Sequence, residues 1–327
     1  MMHSSNSQRA VNMAEKYKFG IVGAGPIGSI MGAHLAKAGH NVVLVDILKD
    51  HLDEIKKNGL MLTGVKDFTA RFSPENLCYS IDQMRDKDVN TVFIAVKASL
   101  MNKVVPLVAK ALKPSATVIS LQNGLDAEEY LAETFGKERT LRIIVNYAGN
   151  IVANGKVKIS FFNPPNYIGT ISPKAEGRAR ELAEVITDAG LETSFTCEIK
   201  KYEWEKIILN SALSPVCALT RRTMRQMMEF EKTRELAEAI LREGIEVAKA
   251  SGIHLDSGFL EYCMGYLDNA GHHKTSMHVD IERGSPTEIA FINGKIVEYG
   301  KSKRIPTPYN SAIVSLIKGS ELPEHKE

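Results

Sequence analysis

The sequence predicts an α/β domain built on a parallel sheet, followed by an all-helical domain. Three observations carry this. Short apolar runs alternate with helix-patterned stretches through the first half. Glycines sit where the first strand turns into a helix. From about residue 198 strand-like alternation ends and helical periodicity alone remains. The expected divisions are a polar, disordered leader over 1–16, an α/β domain over 17–197, a helical domain over 198–320 and a tail over 321–327.

The first strand ends at Ile21-Val22 and runs into Gly23-Ala24-Gly25-Pro26-Ile27-Gly28. A helix follows to about Ala38, and "NVVLVD" gives a second strand closed by Asp46. A GxGxxG alone is weak evidence. Here strand, glycines, helix, strand and acid occur in order, with Asp46 18 residues beyond Gly28, which points to a dinucleotide-binding unit of the Rossmann type. Gly23 permits the tight turn, Gly25 lets the backbone approach a pyrophosphate, and Gly28 lets the helix pack on the strand. Ala24, Pro26 and Ile27 complete the turn at a helix N-terminus, which attracts phosphate. The alternative is a plain βαβ unit. Asp46 suits ribose hydroxyls and repels a 2′-phosphate; no arginine follows it, only Ile47, Leu48 and Lys49. That favours NAD over NADP, with Lys49 a partial offset and a solvated strand-end acid the competing reading.

"TVFIAV" (91–96) is a buried strand followed by Lys97 and a helix over 99–112; "ATVISL" (116–121) is another, followed by Gln122-Asn123-Gly124. Ligands of open parallel sheets sit beyond the carboxyl ends of the strands, where Lys97 and Asn123 fall. Turn chemistry is the alternative for both, especially for an Asn-Gly pair. The runs "RIIVNYAG", "KVKISFF" and "YIGTIS", with one helix over 174–189, are expected to complete or extend the same sheet.

In the second half, helices are expected over 199–218, 232–251, 257–270, 286–303 and 308–319. The first is apolar on most sides, yet Lys206, Asn210 and Ser214 recur at i, i+4 and i+8, which stacks them on one face. Such a stripe is expected to face a cleft between the two domains, a preferred place for ligands. Pro215 cannot donate to the Ser211 carbonyl and so interrupts the helix's bonding. Ser285-Pro286-Thr287-Glu288 has the ingredients of a helix start, which makes a capping box the simplest reading of Glu288. His272, His273 and His278 lack the spacing and paired carboxylates of a metal site, so no metal is expected.

A net charge of +2, from 41 basic and 39 acidic residues, gives no electrostatic case for nucleic acid. No apolar run has the length of a membrane span, and the opening residues lack the apolar core of a secretion signal. Four scattered cysteines without CxxC spacing suit a reducing cytoplasm.

Taken together, "GIVGAGPIGSIMGAHLAKAGHNVVLV", "AVKA", "LQNG", "WEKIILNSALSP", "TSMHVDIERGSPTEI" and "INGKIVEYGKSKRIPTPYN" resemble the ketopantoate reductase family over nearly the whole chain. The resemblance implies a Rossmann domain followed by a helical one, a homodimer, and NAD(P)H-dependent reduction of a small-molecule 2-keto acid, ketopantoate (2-dehydropantoate), to (R)-pantoate, the precursor of pantothenate and coenzyme A. It implies Lys206 as general acid, Asn210 as a substrate-orienting residue, and Asn123 and Lys97 beside nicotinamide and substrate. Ser276, uninformative on its own, becomes a carboxylate-binding residue. Glu288 becomes an active-site acid that can cap a helix and still serve the site. General acid catalysis contributes about 10²–10⁴-fold, and apolar surroundings are expected to lower the Lys206 pKa. Two departures stand out. Ser214 replaces an asparagine that the family uses at the substrate's hydroxyl end, which opens the possibility of a different 2-keto acid. Asp46-Ile47 replaces the usual NADP-binding arginine, which favours NAD. A dinucleotide-binding regulator without turnover is the rival from another class; retention of Lys206, Asn210, Ser276 and Glu288 argues against it.

Overall fold

The computed structural model describes residues 16–272 and 274–322. The leader before residue 16, His273 and the last five residues of the tail lie outside the described residues. The chain divides into two compact units. One comprises the chain through Gln122 together with Asp126–Ile199; the other comprises Asn123–Leu125 together with the chain from Lys200.

The first unit begins β1 (Lys18–Val22), α1 (Pro26–Lys37), β2 (Asn41–Val45), α2 (Lys49–Asn58), β3 (Leu60–Gly64), β4 (Phe68–Ala70) and β5 (Leu77–Cys78). It continues β6 (Thr91–Ile94), α3 (Met101–Ala111), β7 (Thr117–Ser120), α4 (Ala127–Phe135) and β8 (Thr140–Ile144). It closes with β9 (Tyr147–Ala153), β10 (Lys156–Phe162), β11 (Asn166–Gly169), α5 (Glu176–Asp188) and β12 (Thr193–Phe195). The main sheet has the order β12-β11-β8-β7-β6-β1-β2-β5. Only the β11–β8 pair is antiparallel. Strand alternation builds a core on each face of the sheet: Val42 and Leu44 enter one cluster, Val43 and Val45 the other. The fold is the expected α/β arrangement, and its winding reverses between β1 and β6, where open sheets bind ligands.

The 140–196 segment does not all extend this sheet. β8, β11 and β12 do, but β9 and β10 form a second sheet in the order β4-β3-β10-β9. β10, the "KVKISFF" run, lies parallel to β3 and antiparallel to β9. Its inward residues Val157 and Ile159 share a cluster with Leu60 and Leu62. Alternating apolar residues satisfy either sheet equally well, so the run itself carries no information about its partner.

The second unit is helical: α6 (Ile199–Thr220), α7 (Met224–Glu229), α8 (Glu231–Ala250), α9 (Phe259–Asp268), α10 (Ser276–Glu282), α11 (Asn293–Lys303) and α12 (Pro308–Ser320). Trp204, Ile207, Ile208, Ala212, Leu213 and Val216 of α6 enter its core, and Trp204 meets Tyr299 edge-on at 5.1 Å between ring centroids. The helix expected from 286 starts only at Asn293, and the expected cap at Ser285 is absent. Tertiary and backward bonds take its groups instead. The Ser285 N–H donates to the Asp280 carbonyl, while the Thr287 N–H and hydroxyl both donate to Glu321 Oε1, at 2.7 and 2.6 Å. Glu288 therefore lies in a turn and not in a capping box. Among the described residues, no helix is long and apolar enough to cross a membrane.

Candidate active site

At the end of β1 the chain must reverse into α1, and three glycines do so for different reasons. Gly23 has φ of +104°, and a Cβ there would lie 2.9 Å from the Val96 nitrogen. A Cβ on Gly28 would lie 2.0 Å from the Gly23 carbonyl oxygen, so α1 packs on β1 only without it. Gly25 has φ of −62°, open to any residue, and a Cβ there would meet nothing within 4 Å. As the N-cap of α1 the position favours glycine over alanine only modestly, and the open space beside it leaves room for a pyrophosphate to approach the backbone. Gly25, Pro26 and Ile27 are half-exposed, while Gly23, Ala24 and Gly28 are buried. This turn fits a dinucleotide.

Asp46 braces the same turn. Its Oδ2 accepts the Ala24 N–H at 2.6 Å and its Oδ1 the Leu48 N–H at 2.9 Å. Each carboxylate oxygen keeps a further lone pair for a ribose hydroxyl. Beyond it Ile47 is 82 % exposed and Leu48 52 %.

Lys97 follows the end of β6 and is half-buried. A buried network without a sequence signature holds this strand end to its neighbour. The Gln122 side chain donates to the carbonyls of Ile94 (2.7 Å) and Val96 (3.1 Å) and accepts from Ser120 Oγ at 2.6 Å. Arg142, 2 % exposed on β8, donates to Ser120 Oγ and to the Gln122 carbonyl, both at 2.6 Å, and pairs with buried Glu128 at 3.7 Å. An arginine and a glutamate are buried together because each offsets the other's desolvation.

The remaining candidates lie in the helical unit, on segments bonded to one another. Lys206 and Asn210 are half-buried on α6, while Ser214, 9 % exposed, is buried. The stripe thus sinks into the unit toward Pro215. The Ser214 carbonyl accepts the Thr275 hydroxyl at 3.2 Å, which ties α6 to the start of α10, where Ser276 is exposed. Asn123 is half-buried, and its neighbour Leu125 enters the helical core and donates its N–H to the Phe291 carbonyl at 3.4 Å. Gly124 has φ of +131°, and a Cβ there would lie 2.9 Å from that of Phe291. Phe291 closes the Glu288 turn, since its N–H donates to the Glu288 carbonyl at 2.9 Å. Asn123, Ser214, Ser276 and Glu288, far apart in sequence, thus ride on directly connected segments.

Among the described residues, no group of three or more His, Cys, Asp or Glu side chains is placed to hold a metal. His272 is exposed, and His278 is buried against Glu282 at 3.2 Å.

Comparison with known proteins agrees with this layout. Residues 19–173 match the family model described as ketopantoate reductase PanE/ApbA, and residues 198–321 match its C-terminal counterpart. The 2-dehydropantoate 2-reductase of Pyrococcus abyssi is 30% identical over 310 residues, 95% of this chain and 100% of that one. The crystal structure of 2-dehydropantoate 2-reductase from Geobacter metallireducens GS-15 superposes with a TM-score of 0.84 at 27% identity, covering 93% of this chain and 99% of that one. A D-mandelate dehydrogenase solved with NADH and anilino(oxo)acetate reaches the same TM-score of 0.84 at 25% identity, covering 93% and 98%.

Proposed function

The chain belongs to the ketopantoate reductase family of NAD(P)-dependent oxidoreductases, and from that premise we propose that it reduces 2-dehydropantoate to (R)-pantoate, a step toward pantothenate and coenzyme A, with NADH preferred to NADPH. The observation that carries the proposal is the polar stripe: Lys206 and Asn210 stay half-buried on a helix whose other faces enter the core. A bound reduced nicotinamide supplies the hydride that C2 receives. The C2 oxygen gains negative charge as the hydride arrives, and the Lys206 ammonium gives it a proton, so that ketone, hydride and proton balance to a secondary alcohol. Asn210 orients the keto acid, Asn123 and Lys97 hold it beside the nicotinamide, Ser276 binds its carboxylate, and Glu288 is the acid of the site. Gly23 to Gly28 and Asp46 hold the dinucleotide. The protein acts as a cytoplasmic homodimer.

A second reading has a specific observation behind it. Ser214 offers one hydroxyl where the family offers an amide, and a D-mandelate dehydrogenase of the same fold was solved with NADH and anilino(oxo)acetate. A different branched or aromatic 2-keto acid is then the substrate. Steady-state rates with NADH and NADPH across a panel of 2-keto acids separate the two readings. Absence of turnover with every member would leave the regulator. Lys206→Ala tests the mechanism: kcat should fall by about 10²–10⁴-fold while cofactor affinity holds. Near-normal turnover in folded protein would remove Lys206 from the role.

A further inference from the structure

Proline at 215 takes away the N–H that would have bonded the Ser211 carbonyl, one helical turn back on α6. A buried carbonyl without a donor is unfavourable, and Ser211 is 0% exposed. The replacement comes from 82 residues downstream: Asn293 Nδ2 donates to the Ser211 carbonyl at 3.1 Å. The other Asn293 N–H goes to Asn310 Oδ1 at 3.0 Å. Asn310 is held in turn by Glu243 Oε2, at 2.9 Å from its backbone nitrogen and 2.8 Å from its amide, and by the Ile240 carbonyl at 3.3 Å. Glu243 Oε1 also accepts the Tyr309 N–H at 2.8 Å, which seats the start of α12.

This arrangement has a cost. Asn293 Oδ1 is buried with no hydrogen-bond donor. An apolar residue would avoid that cost but would strip the Ser211 carbonyl. The amide is there for its two donors, and its place in the chain says what they accomplish. Asn293 is the first residue of α11, directly after the Glu288 turn, in which the Ile292 N–H donates to the Glu288 carbonyl at 3.1 Å. Ser211 directly follows Asn210 on the limb of α6 that carries Lys206.

We propose that Asn293 is a positioning residue for the reduction, pinning the Lys206–Asn210 limb of α6 to the turn that bears Glu288. The role in catalysis rests on the reading of Lys206 as proton donor; the pin to the Ser211 carbonyl does not. Its failure and that reading's failure are therefore separable.

The experiment compares Asn293→Ala and Asn293→Ser, which keeps one donor on a shorter arm, in the wild-type and Pro215→Ala backgrounds. Pro215→Ala restores the backbone N–H that the Ser211 carbonyl lacks. Urea unfolding, kcat and KM for the keto acid, and the NADH Kd are measured for each. Asn293→Ala is expected to lower kcat at least tenfold with the NADH Kd within twofold, and Asn293→Ser to fall between it and wild type. The shift in urea midpoint caused by Asn293→Ala should shrink in the Pro215→Ala background. Equal shifts in both backgrounds would show that Asn293 does not act through that carbonyl. An unchanged kcat in either folded variant would reduce it to a core filler. Should Asn293→Ala not fold, the Asn293→Ser pair decides both points. If Lys206→Ala turns over normally while the midpoint coupling persists, the donor assignment fails and the pin stands.

Discussion

Gly25 and Gly28 stand three residues apart in one turn, and the structure gives alanine opposite consequences at the two. At Gly25 the backbone already has φ of −62° and ψ of 179°, which alanine adopts freely, and its methyl would meet no protein atom within 4 Å. Replacing glycine at a compatible site gains about 0.4–1 kcal/mol through the unfolded chain. Alanine is a poorer N-cap than glycine by roughly half a kcal/mol or more. The two effects nearly cancel, so Tm should move by no more than about 2–4 °C. The methyl would instead occupy the space in which a pyrophosphate approaches the turn, and the NADH Kd should rise at least about tenfold, or about 1.4 kcal/mol. At Gly28 the methyl carbon would lie 2.0 Å from the Gly23 carbonyl oxygen and 3.0 Å from both Ala95 Cβ and Ile21 Cγ2. The helix must shift off the strand, at a cost of about 1–3 kcal/mol or more. Thermal unfolding without cofactor and titration of NADH fluorescence measure both variants. A Gly25→Ala protein that binds NADH as wild type does would refute the placement of the pyrophosphate against this turn.

Asp46→Asn keeps the side chain's size and one of its two acceptors while removing the charge; it should narrow the preference for NADH over NADPH in kcat/KM, and a wild-type preference for NADPH would overturn the role given to Asp46. Ser214→Asn restores the family's residue and should raise kcat/KM for 2-dehydropantoate relative to a keto acid without the hydroxyl by about two- to twelve-fold; because Ser214 is buried, the larger side chain should also cost about 1–3 kcal/mol in unfolding, and a stability loss without a change in selectivity would place Ser214 in the packing alone. His34 provides a pH test: its Nδ1–H donates to the Ala189 carbonyl at 2.8 Å, its Nε2 is buried without a partner, and burial pushes its pKa from 6.5 down to about 4. The unfolded chain then takes up a proton that the folded chain refuses, so stability present above pH 6.5 is lost as pH falls toward 4, by about 3 kcal/mol in all; His34→Gln should flatten that part of a urea-midpoint series against pH, and an unchanged slope would shift the effect to His40 and His51, which burial also holds below their ordinary value.

What could be seen in the sequence was local, and what could not was settled by distant parts of the chain. The glycine turn was legible because the Gly23 torsion, the Gly28 contact and the Asp46 bond to Ala24 all fall within one βαβ unit. The polar stripe was legible because helical spacing alone stacks residues 206, 210 and 214. Helix α7 was also within reach: Thr223 and Gln226 form a complete capping box, spaced as such boxes are in sequence. The same pattern at Ser285 misled, since a local cap competes with tertiary partners, and here Glu321, 34 residues away, takes the Thr287 N–H and hydroxyl. Strand β10 showed its alternation but not its partner β3, nearly a hundred residues earlier in the chain. Arg142 looked like any charged residue at the start of a strand, and only the fold reveals Glu128 beside it. The site divides along the same line. The candidate side chains advertise themselves by type and spacing, whereas Gln122, Arg142 and Asn293, which bond the backbone next to them, are recognised only by the buried groups they satisfy. Pro215 is the exception that links the two. It announces in the sequence that the Ser211 carbonyl needs a donor from elsewhere, and that need predicts a partner such as Asn293 without saying which residue it is.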